Sequence, residues 1–195
     1  MIDDRFADRY KIKSSKLNNW DYSTPGKYFI TICAYKKNNF FGKIENNKIR
    51  LKEIGLVAKS NWLEITRHFD NVKLDEFIIM PNHMHGIIEI LPTIKMPCRD
   101  AENRCRDVTC NVSTIMSKIS PKKGSIPVII RSYKGSVQKY ANDNKIFFGW
   151  QPRYFDEVIF DDKRYLKIKN YIKNNPDNWV KDKLFNDNRT NGTAM

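Results

Sequence analysis

Two of the three histidines in this 195-residue chain, His83 and His85, are separated by one residue inside the apolar run EFIIMPNHMHGIIEI, residues 76–90. On a β-strand, side chains alternate between the two faces, so both imidazoles would point one way and Met84 the other. Two imidazoles on one face can bind a single cation. The alternative is a hydrogen-bonded pair at a strand start that binds nothing, but histidine is otherwise nearly absent from the chain, which favours a metal site.

A catalytic metal needs a further ligand from another element. The segment KRYLKIKNYIKNNPDNW, residues 163–179, has the apolar spacing of a helix and can supply one. Tyr171 and Asn175 are four residues apart, so they would lie one turn apart on its border. Pro176 ends the helix, which leaves the Asn175 amide oxygen able to turn towards a cation. An oxygen added to two nitrogens suits Mg²⁺ or Mn²⁺ bound to a phosphate better than a closed zinc site.

Tyr171 would then be a candidate nucleophile beside a metal. The alternative is a half-buried tyrosine on the border of an amphipathic helix, with no chemical role. Tyr133 and Tyr140 are rival nucleophiles on spacing alone, but both align with the apolar stripe of their own predicted helix. For these two, packing in the core is therefore the better interpretation.

The elements that must position these residues can be read from periodicity. A β-branched and aromatic run at 28–35 predicts a buried strand, and FGKIENNKIRL predicts a small hairpin turning at Asn46 and Asn47. Further strands are predicted at 72–80, 83–90 and 154–160, and helices at 51–69, 127–142 and from 162 to Pro176. This order predicts an α+β fold, a ferredoxin-like antiparallel sheet (βαββαβ) with helices on one face, plus a C-terminal helix that carries Tyr171.

We expect a single domain at residues 26–180, preceded by an N-terminal extension at 1–25 and followed by a flexible tail at 181–195. Within the domain, residues 92–125 are basic and aperiodic, which predicts a long loop. Three of the four cysteines, Cys98, Cys105 and Cys110, lie in that loop at spacings that match no zinc motif. Free thiols are the better interpretation, and the loop has no assigned role.

The net charge of +13, from 35 Lys and Arg against 22 Asp and Glu, favours a polyanionic partner. Nucleic acid is the first candidate and an anionic membrane the second. No apolar stretch approaches the roughly 18 residues needed to span a bilayer, and the first residues lack the apolar core of a signal peptide. The expectation is a cytoplasmic, nucleoid-associated protein with no membrane partner.

Aromatic and basic residues cluster in and around the segment WQPRY, residues 150–154. Single-stranded nucleic acid is bound by aromatic platforms and basic grooves, so this cluster is a candidate DNA surface. The alternative is that the tryptophan belongs to the core and the charges to an ordinary solvated face. The candidate DNA-binding residues are Trp150, Arg153, Tyr154, Arg131 and Lys134.

Three separated motifs, MPNHMHGI, WQPRYFDEVI and RYLKIKNYIKNNPDNW, closely resemble those of the REP-associated tyrosine transposases, which belong to the single-tyrosine HUH class. The resemblance spans roughly residues 26–180 and implies a ferredoxin-like fold. It implies that Tyr171 attacks DNA and forms a 5′-phosphotyrosine, and that Asn175 completes a Mg²⁺ or Mn²⁺ site with His83 and His85. The implied substrate is single-stranded or hairpin DNA, and the implied assembly is a monomer or a homodimer. Residues 92–125 match no motif of that family.

Two other functions stay open at this point. One is a non-catalytic, nucleic-acid-binding ferredoxin-like module in which the histidines only pack or form hydrogen bonds. The other is a metal-dependent phosphodiesterase that attacks with water and not with Tyr171.

Overall fold

The computed structural model describes residues 17, 20–92, 121–182, 184 and 185. Its main elements, in chain order, are β1 (Gly26–Cys33), β2 (Gly42–Glu45), β3 (Lys48–Leu51), α1 (Glu53–Leu63), α2 (Ile65–His68), β4 (Val72–Ile79), β5 (His83–Ile90), α3 (Ile126–Asp143), β6 (Phe155–Ile159) and α4 (Asp162–Lys173). Four strands form a sheet in the order β4-β5-β1-β6, and every neighbouring pair is antiparallel. This is the predicted ferredoxin-like arrangement, with β2 and β3 as a separate hairpin.

The sheet is covered on both faces, because its strands alternate apolar residues to each side. Helices α1 and α3 pack on one face around the buried Trp62, which approaches the backbone of Gly86 on β5. Helix α4 packs on the opposite face through Ile168 and Ile172. The helix that carries Tyr171 therefore lies on the face away from the main core.

The register between β1 and β5 sets the position of the histidines. His83 is opposite Cys33 and His85 is opposite Thr31. Met84 belongs to the core cluster on the α1 and α3 side, as the alternation predicts, so both imidazoles face α4.

The boundaries differ from the predictions in a few places. The helix predicted at 51–69 starts at Glu53 and is divided at Glu64 into α1 and α2. The hairpin does turn at Asn46 and Asn47, both with positive φ as a tight two-residue turn requires. Cys98, Cys105 and Cys110 lie outside the described residues. Over the described ranges, no helix combines the length and apolarity needed to cross a membrane.

The predicted tail at 181–195 is folded in its first residues. A 3₁₀ turn at Trp179–Lys181 brings Asp182 and Leu184 back against the sheet. Burial of Trp179 and its contact with Phe185, whose ring centroids are 5.3 Å apart, account for this return. The chain therefore contributes to the site beyond the end of the predicted domain.

Candidate active site

His83 and His85 converge on one point. Both side chains are buried, and their Nε2 atoms are 3.0 Å apart. Burial lowers the pKa of His83 to about 3, with a smaller effect from Lys37, and burial followed by the neighbouring His83 also lowers the pKa of His85. Both rings are therefore neutral at pH 7, and neutral imidazole is the form that binds a metal.

Asn82 determines which nitrogen of His83 carries its proton. The Asn82 Nδ2 group donates to the carbonyl oxygens of Lys37 at 3.1 Å and Leu184 at 2.8 Å, which fixes the orientation of the amide. Its Oδ1 then lies 2.7 Å from Nδ1 of His83. An amide oxygen only accepts, so Nδ1 of His83 carries the proton and Nε2 presents a lone pair.

Thr31 has the corresponding position beside His85, with Oγ1 2.8 Å from Nδ1. A hydroxyl can donate or accept, so Thr31 supports either tautomer of the His85 ring. In one tautomer Nε2 of His85 donates to Nε2 of His83. In the other, Nδ1 donates to Thr31 and both Nε2 lone pairs are directed into the same space, as a shared cation requires.

Tyr171 reaches the histidines from α4. Its hydroxyl lies 3.2 Å from Nε2 of His85 and 3.3 Å from Oδ2 of Asp182. The ring packs edge-on against Phe29 and His85, yet 45% of the residue is exposed. Burial, together with the nearby Asp182 carboxylate, raises its pKa to about 12. The phenol is thus protonated, held at a fixed place and open to solvent on one side.

Asn175 follows α4 by two residues and is only 2% exposed. Its Nδ2 donates to Oδ2 of Asp182 at 3.0 Å. Its Oδ1 is buried and has no hydrogen-bond partner among the described residues. A buried oxygen without a partner is costly, by about 1–3 kcal/mol, and a bound cation would remove that cost.

Asp182 was not foreseen from the sequence. One ligand atom each from His83, His85 and Asp182 lie within 4.8 Å of one another. Because residues 181–195 were predicted to be a flexible tail, Asp182 was not considered as a ligand. The signal that could have found it is the pair Leu184 and Phe185, since apolar residues just beyond an acidic one indicate that the chain still packs.

These donors fit a divalent cation. Two imidazole nitrogens, a carboxylate oxygen and an unpaired amide oxygen are a mixed set of the kind that binds Mn²⁺ and related ions, and less typical of Mg²⁺, which prefers oxygen alone. The His83 proton is already placed away from the ligand nitrogen. The residues present therefore fit a divalent cation, and their two nitrogens fit Mn²⁺ better than Mg²⁺.

Helix α4 is fastened to the sheet next to the site. Asp75 on β4 accepts hydrogen bonds from the Tyr165 hydroxyl and from Nζ of Lys169, the latter at 2.8 Å. At the start of the helix, the Asp161 side chain caps the backbone N–H of Arg164 at 2.7 Å. The start and the middle of α4 are thus held, which restricts the position of Tyr171 over β5.

A cleft of about 1280 Å³ opens at Tyr171 and His85, with α4 on one side and the segment 151–155 on the other. The wall formed by α4 and the chain after it carries Lys167, Asn170, Asn174 and Lys181. The opposite wall carries an aromatic ring at Phe155. The nucleophile candidate is therefore at the floor of a groove with cationic and amide groups along one side.

The structure separates the five predicted DNA-binding residues into two groups. Arg153 and Tyr154 line the cleft, whereas Arg131 is exposed on α3 and does not. Lys134 donates through Nζ to the carbonyl oxygens of Gln151 at 2.9 Å and of Arg153 at 3.3 Å.

Trp150 is partly buried against the rings of Phe41 and Phe148, and its Nε1 donates to the Lys134 carbonyl at 3.1 Å. Together with the bonds from Lys134, this holds the cleft wall in shape. Arg153 itself has a positive φ of 67°, a strained conformation for a non-glycine residue, next to those bonds.

The two rival tyrosines lie away from this cleft. Tyr133 is buried against Trp62 in the main core. Tyr140 donates its hydroxyl hydrogen to Glu53 at 2.8 Å. Both positions agree with the packing role favoured by their spacing.

Comparisons with known proteins bear on the family and the fold. No family model matches the chain. An uncharacterized protein of Haemophilus influenzae is 38% identical over 180 residues, which cover 90% of this chain and 93% of that protein. Among solved structures, a REP-associated tyrosine transposase bound to a REP hairpin superimposes with a TM-score of 0.52 at 16% identity, covering 85% of this chain and 76% of the other. This chain therefore has the fold of that transposase.

Proposed function

We propose that this chain, which belongs to the same family as the uncharacterized Haemophilus influenzae protein, is a metal-dependent tyrosine transposase of the REP-associated type. It cleaves and rejoins single-stranded or hairpin DNA, with Tyr171 as the nucleophile. The observation that carries the proposal is the convergence of the Tyr171 hydroxyl, the two neutral histidines and the unpaired Asn175 oxygen at the floor of one cleft.

In the proposed reaction the Tyr171 oxygen attacks a DNA phosphorus atom in line with the 3′ oxygen. A bond forms between phosphorus and tyrosine, and the bond to the 3′ oxygen breaks. The 3′ oxygen takes up a proton and leaves as a 3′-OH, while the DNA on the other side stays on the protein as a 5′-phosphotyrosine. A 3′-OH from a second strand can reverse the step, so joining needs no ATP.

The chain's own residues provide for the tyrosine proton and for the metal. Asp182 Oδ2, at 3.3 Å, is placed to accept the proton that the phenol must lose. His83, His85 and Asn175, with Asp182 beside them, would hold Mg²⁺ or Mn²⁺, which supplies polarisation of the phosphate and compensates the negative charge that develops.

The cleft supports a single-stranded substrate. A tyrosine on a fixed helix contacts the backbone directly, and the surrounding cationic and amide groups suit a phosphate backbone. The solved REP-associated transposase is bound to a REP hairpin, so hairpin DNA is the substrate class proposed here.

The test is adduct formation with hairpin oligonucleotides that have unpaired flanks, labelled at the 3′ end and incubated with Mn²⁺. We expect a labelled band that migrates with the protein after boiling in detergent. Tyr171→Phe should remove both this band and cleavage, and Tyr140→Phe, which changes a rival tyrosine away from the cleft, should keep both.

Two results would support the other functions. A Tyr171→Phe protein that still cuts DNA would be a phosphodiesterase that attacks with water. Wild-type protein that binds but never cuts any hairpin in the panel would be a non-catalytic binding module.

A further inference from the structure

Phe155 is a large apolar residue that lines the cleft and is exposed in it. It is the first residue of β6 and is 45% exposed. It pairs with Thr31 across β1 and so lies on the sheet face that carries His85. Burial would be the usual outcome for a phenylalanine on this face, since Phe29 on the neighbouring strand is buried.

Aromatic contacts connect Phe155 to the reacting group through a single intermediate ring. The Phe155 and Phe29 centroids are 6.3 Å apart at an interplanar angle of 70°. Phe29 in turn stacks on His85 at 5.4 Å and meets Tyr171 edge-on at 6.3 Å. Phe29 therefore lies between Phe155 and Tyr171 and contacts both rings.

The opposite side of the cleft is suited to a sugar-phosphate backbone. Lys167 and Lys181 are exposed cations on that side, with Asn170 and Asn174 between them in sequence. Glu157, a carboxylate that lines the cleft, is paired with Arg164 at 2.5 Å. A strand whose phosphates follow the two lysines on the α4 side would have its bases towards β6 and Phe155.

We infer that Phe155 is a stacking platform for an unpaired base next to the phosphate that Tyr171 attacks. The inference rests on the proposed strand-transfer function for the identity of that phosphate. Stacking on an exposed ring requires an exposed base face, which a nucleotide inside a duplex does not offer. The platform therefore selects DNA whose nucleotide at the cleavage site is unpaired, whatever that base is.

The first test measures the rate of adduct formation under single-turnover conditions. Base stacking on an aromatic ring corresponds to roughly a 5- to 150-fold change, so Phe155→Ala should slow the reaction by a factor in that range. Phe155→Trp should retain the rate. Phe160→Ala is the matched control, because Phe160 is 70% exposed on the same chain segment but does not line the cleft.

An abasic site moved along the unpaired flank separates stacking from a structural effect. In the wild-type protein, one position beside the cleaved phosphate should show a loss similar to that of Phe155→Ala. In the Phe155→Ala protein, the abasic site at that position should cost nothing further. Equal rates for Phe155→Ala and wild type, or an abasic penalty that persists unchanged in the variant, would overturn the inference.

A binding measurement keeps this inference distinguishable from the proposed function. The probe is oligothymidine with a single 2-aminopurine, added to the Tyr171→Phe protein so that no cleavage occurs. We expect quenching of the 2-aminopurine fluorescence that Phe155→Ala removes. If Phe155 is needed for quenching but the wild-type protein forms no adduct, the stacking role of Phe155 stands and the strand-transfer function is contradicted. If the wild-type protein forms adducts but Phe155 has no effect on quenching, the strand-transfer function stands and the stacking role is contradicted.

Discussion

The Thr31 hydroxyl lies 2.8 Å from Nδ1 of His85, directly across the β1 and β5 pair. Because a hydroxyl can accept as well as donate, this contact lets His85 place its proton on Nδ1 and keep Nε2 for a cation. Asn82 fixes the same arrangement for His83 with a permanent acceptor. Asn82 therefore sets the tautomer that leaves Nε2 of His83 free for a cation, and Thr31 permits the same tautomer of His85.

Removing the Thr31 hydroxyl should weaken metal binding. Thr31→Val keeps the shape of the side chain but leaves Nδ1 of His85 without its acceptor, and loss of such a partner typically costs 10- to 100-fold in metal affinity. The measurement is calorimetric titration with Mn²⁺. Thr66→Val is the control, because Thr66 is exposed on α2. The Mn²⁺ affinity of this variant should equal that of the wild-type protein. An unchanged affinity for Thr31→Val would show that this contact does not orient the ligand.

Asn175 and Asp182 should both contribute to Mn²⁺ affinity, which the same calorimetric titration measures. Asn175→Ala removes the unpaired oxygen, and Asp182→Asn removes a negative charge from the ligand group. We expect each change to lower Mn²⁺ affinity by at least about tenfold. Asp143→Asn, at the exposed end of α3, is the charge-matched control. Wild-type affinity in Asn175→Ala would exclude its amide oxygen as a ligand.

The buried histidines should make the metal-free protein sensitive to mild acid. The folded pKa of His83 is about 3 and that of His85 is also lowered, whereas an unfolded histidine titrates near 6.5. Below that pH the unfolded chain binds more protons, so the free energy of unfolding falls as pH falls, by up to about 1.4 kcal/mol per pH unit for each histidine.

The measurement is urea unfolding between pH 7 and pH 5 in the presence of a chelator. His85→Gln should show a shallower loss of stability with falling pH than wild type. His68→Gln, which changes the exposed histidine at the end of α2, should keep the wild-type slope. A slope that is the same in all three proteins would contradict neutral, buried histidines in the folded state.

Gly86 should be intolerant of a side chain because of Trp62. A Cβ at Gly86 would lie 2.4 Å from Cζ2 of the buried indole, so Gly86→Ala forces the core apart and should cost about 1–3 kcal/mol of unfolding free energy. The control is Gly135→Ala in the exposed part of α3, where no atom beyond the neighbouring residues and the helix's own backbone lies within 4 Å of the added carbon. That change should stabilise the protein by about 0.5–1 kcal/mol, because alanine is the better helix former. We expect the midpoint temperature of thermal unfolding to fall for Gly86→Ala and to rise for Gly135→Ala.

The local sequence pattern was sufficient to predict the strands of the sheet and the common face of the two histidines. Strand alternation places His83 and His85 on one face whatever the rest of the chain does, and the four-residue spacing puts Tyr171 and Asn175 side by side. The turn at Asn46 and Asn47 was equally local, because it depends on residues that tolerate positive φ.

Features that depend on distant contacts could not be predicted in the same way. Asp182 reaches the histidines only because Trp179 packs beside His83 and the Leu184 carbonyl accepts a bond from Asn82. Lys134 is basic, as a residue that contacts DNA would be, yet its ammonium group donates hydrogen bonds to two carbonyl oxygens of the cleft wall. Composition indicates which groups are charged, but tertiary contacts decide what those charges bind.

The most direct test of the central claim is to locate the DNA on the protein. After reaction with a hairpin oligonucleotide and Mn²⁺, the adduct is digested with nuclease and trypsin, and the peptides are examined by mass spectrometry. Tyr171 and Tyr165 fall in different tryptic peptides, at 170–173 and 165–167. We expect a nucleotide attached to the peptide at 170–173, and a nucleotide on any other tyrosine would contradict Tyr171 as the nucleophile.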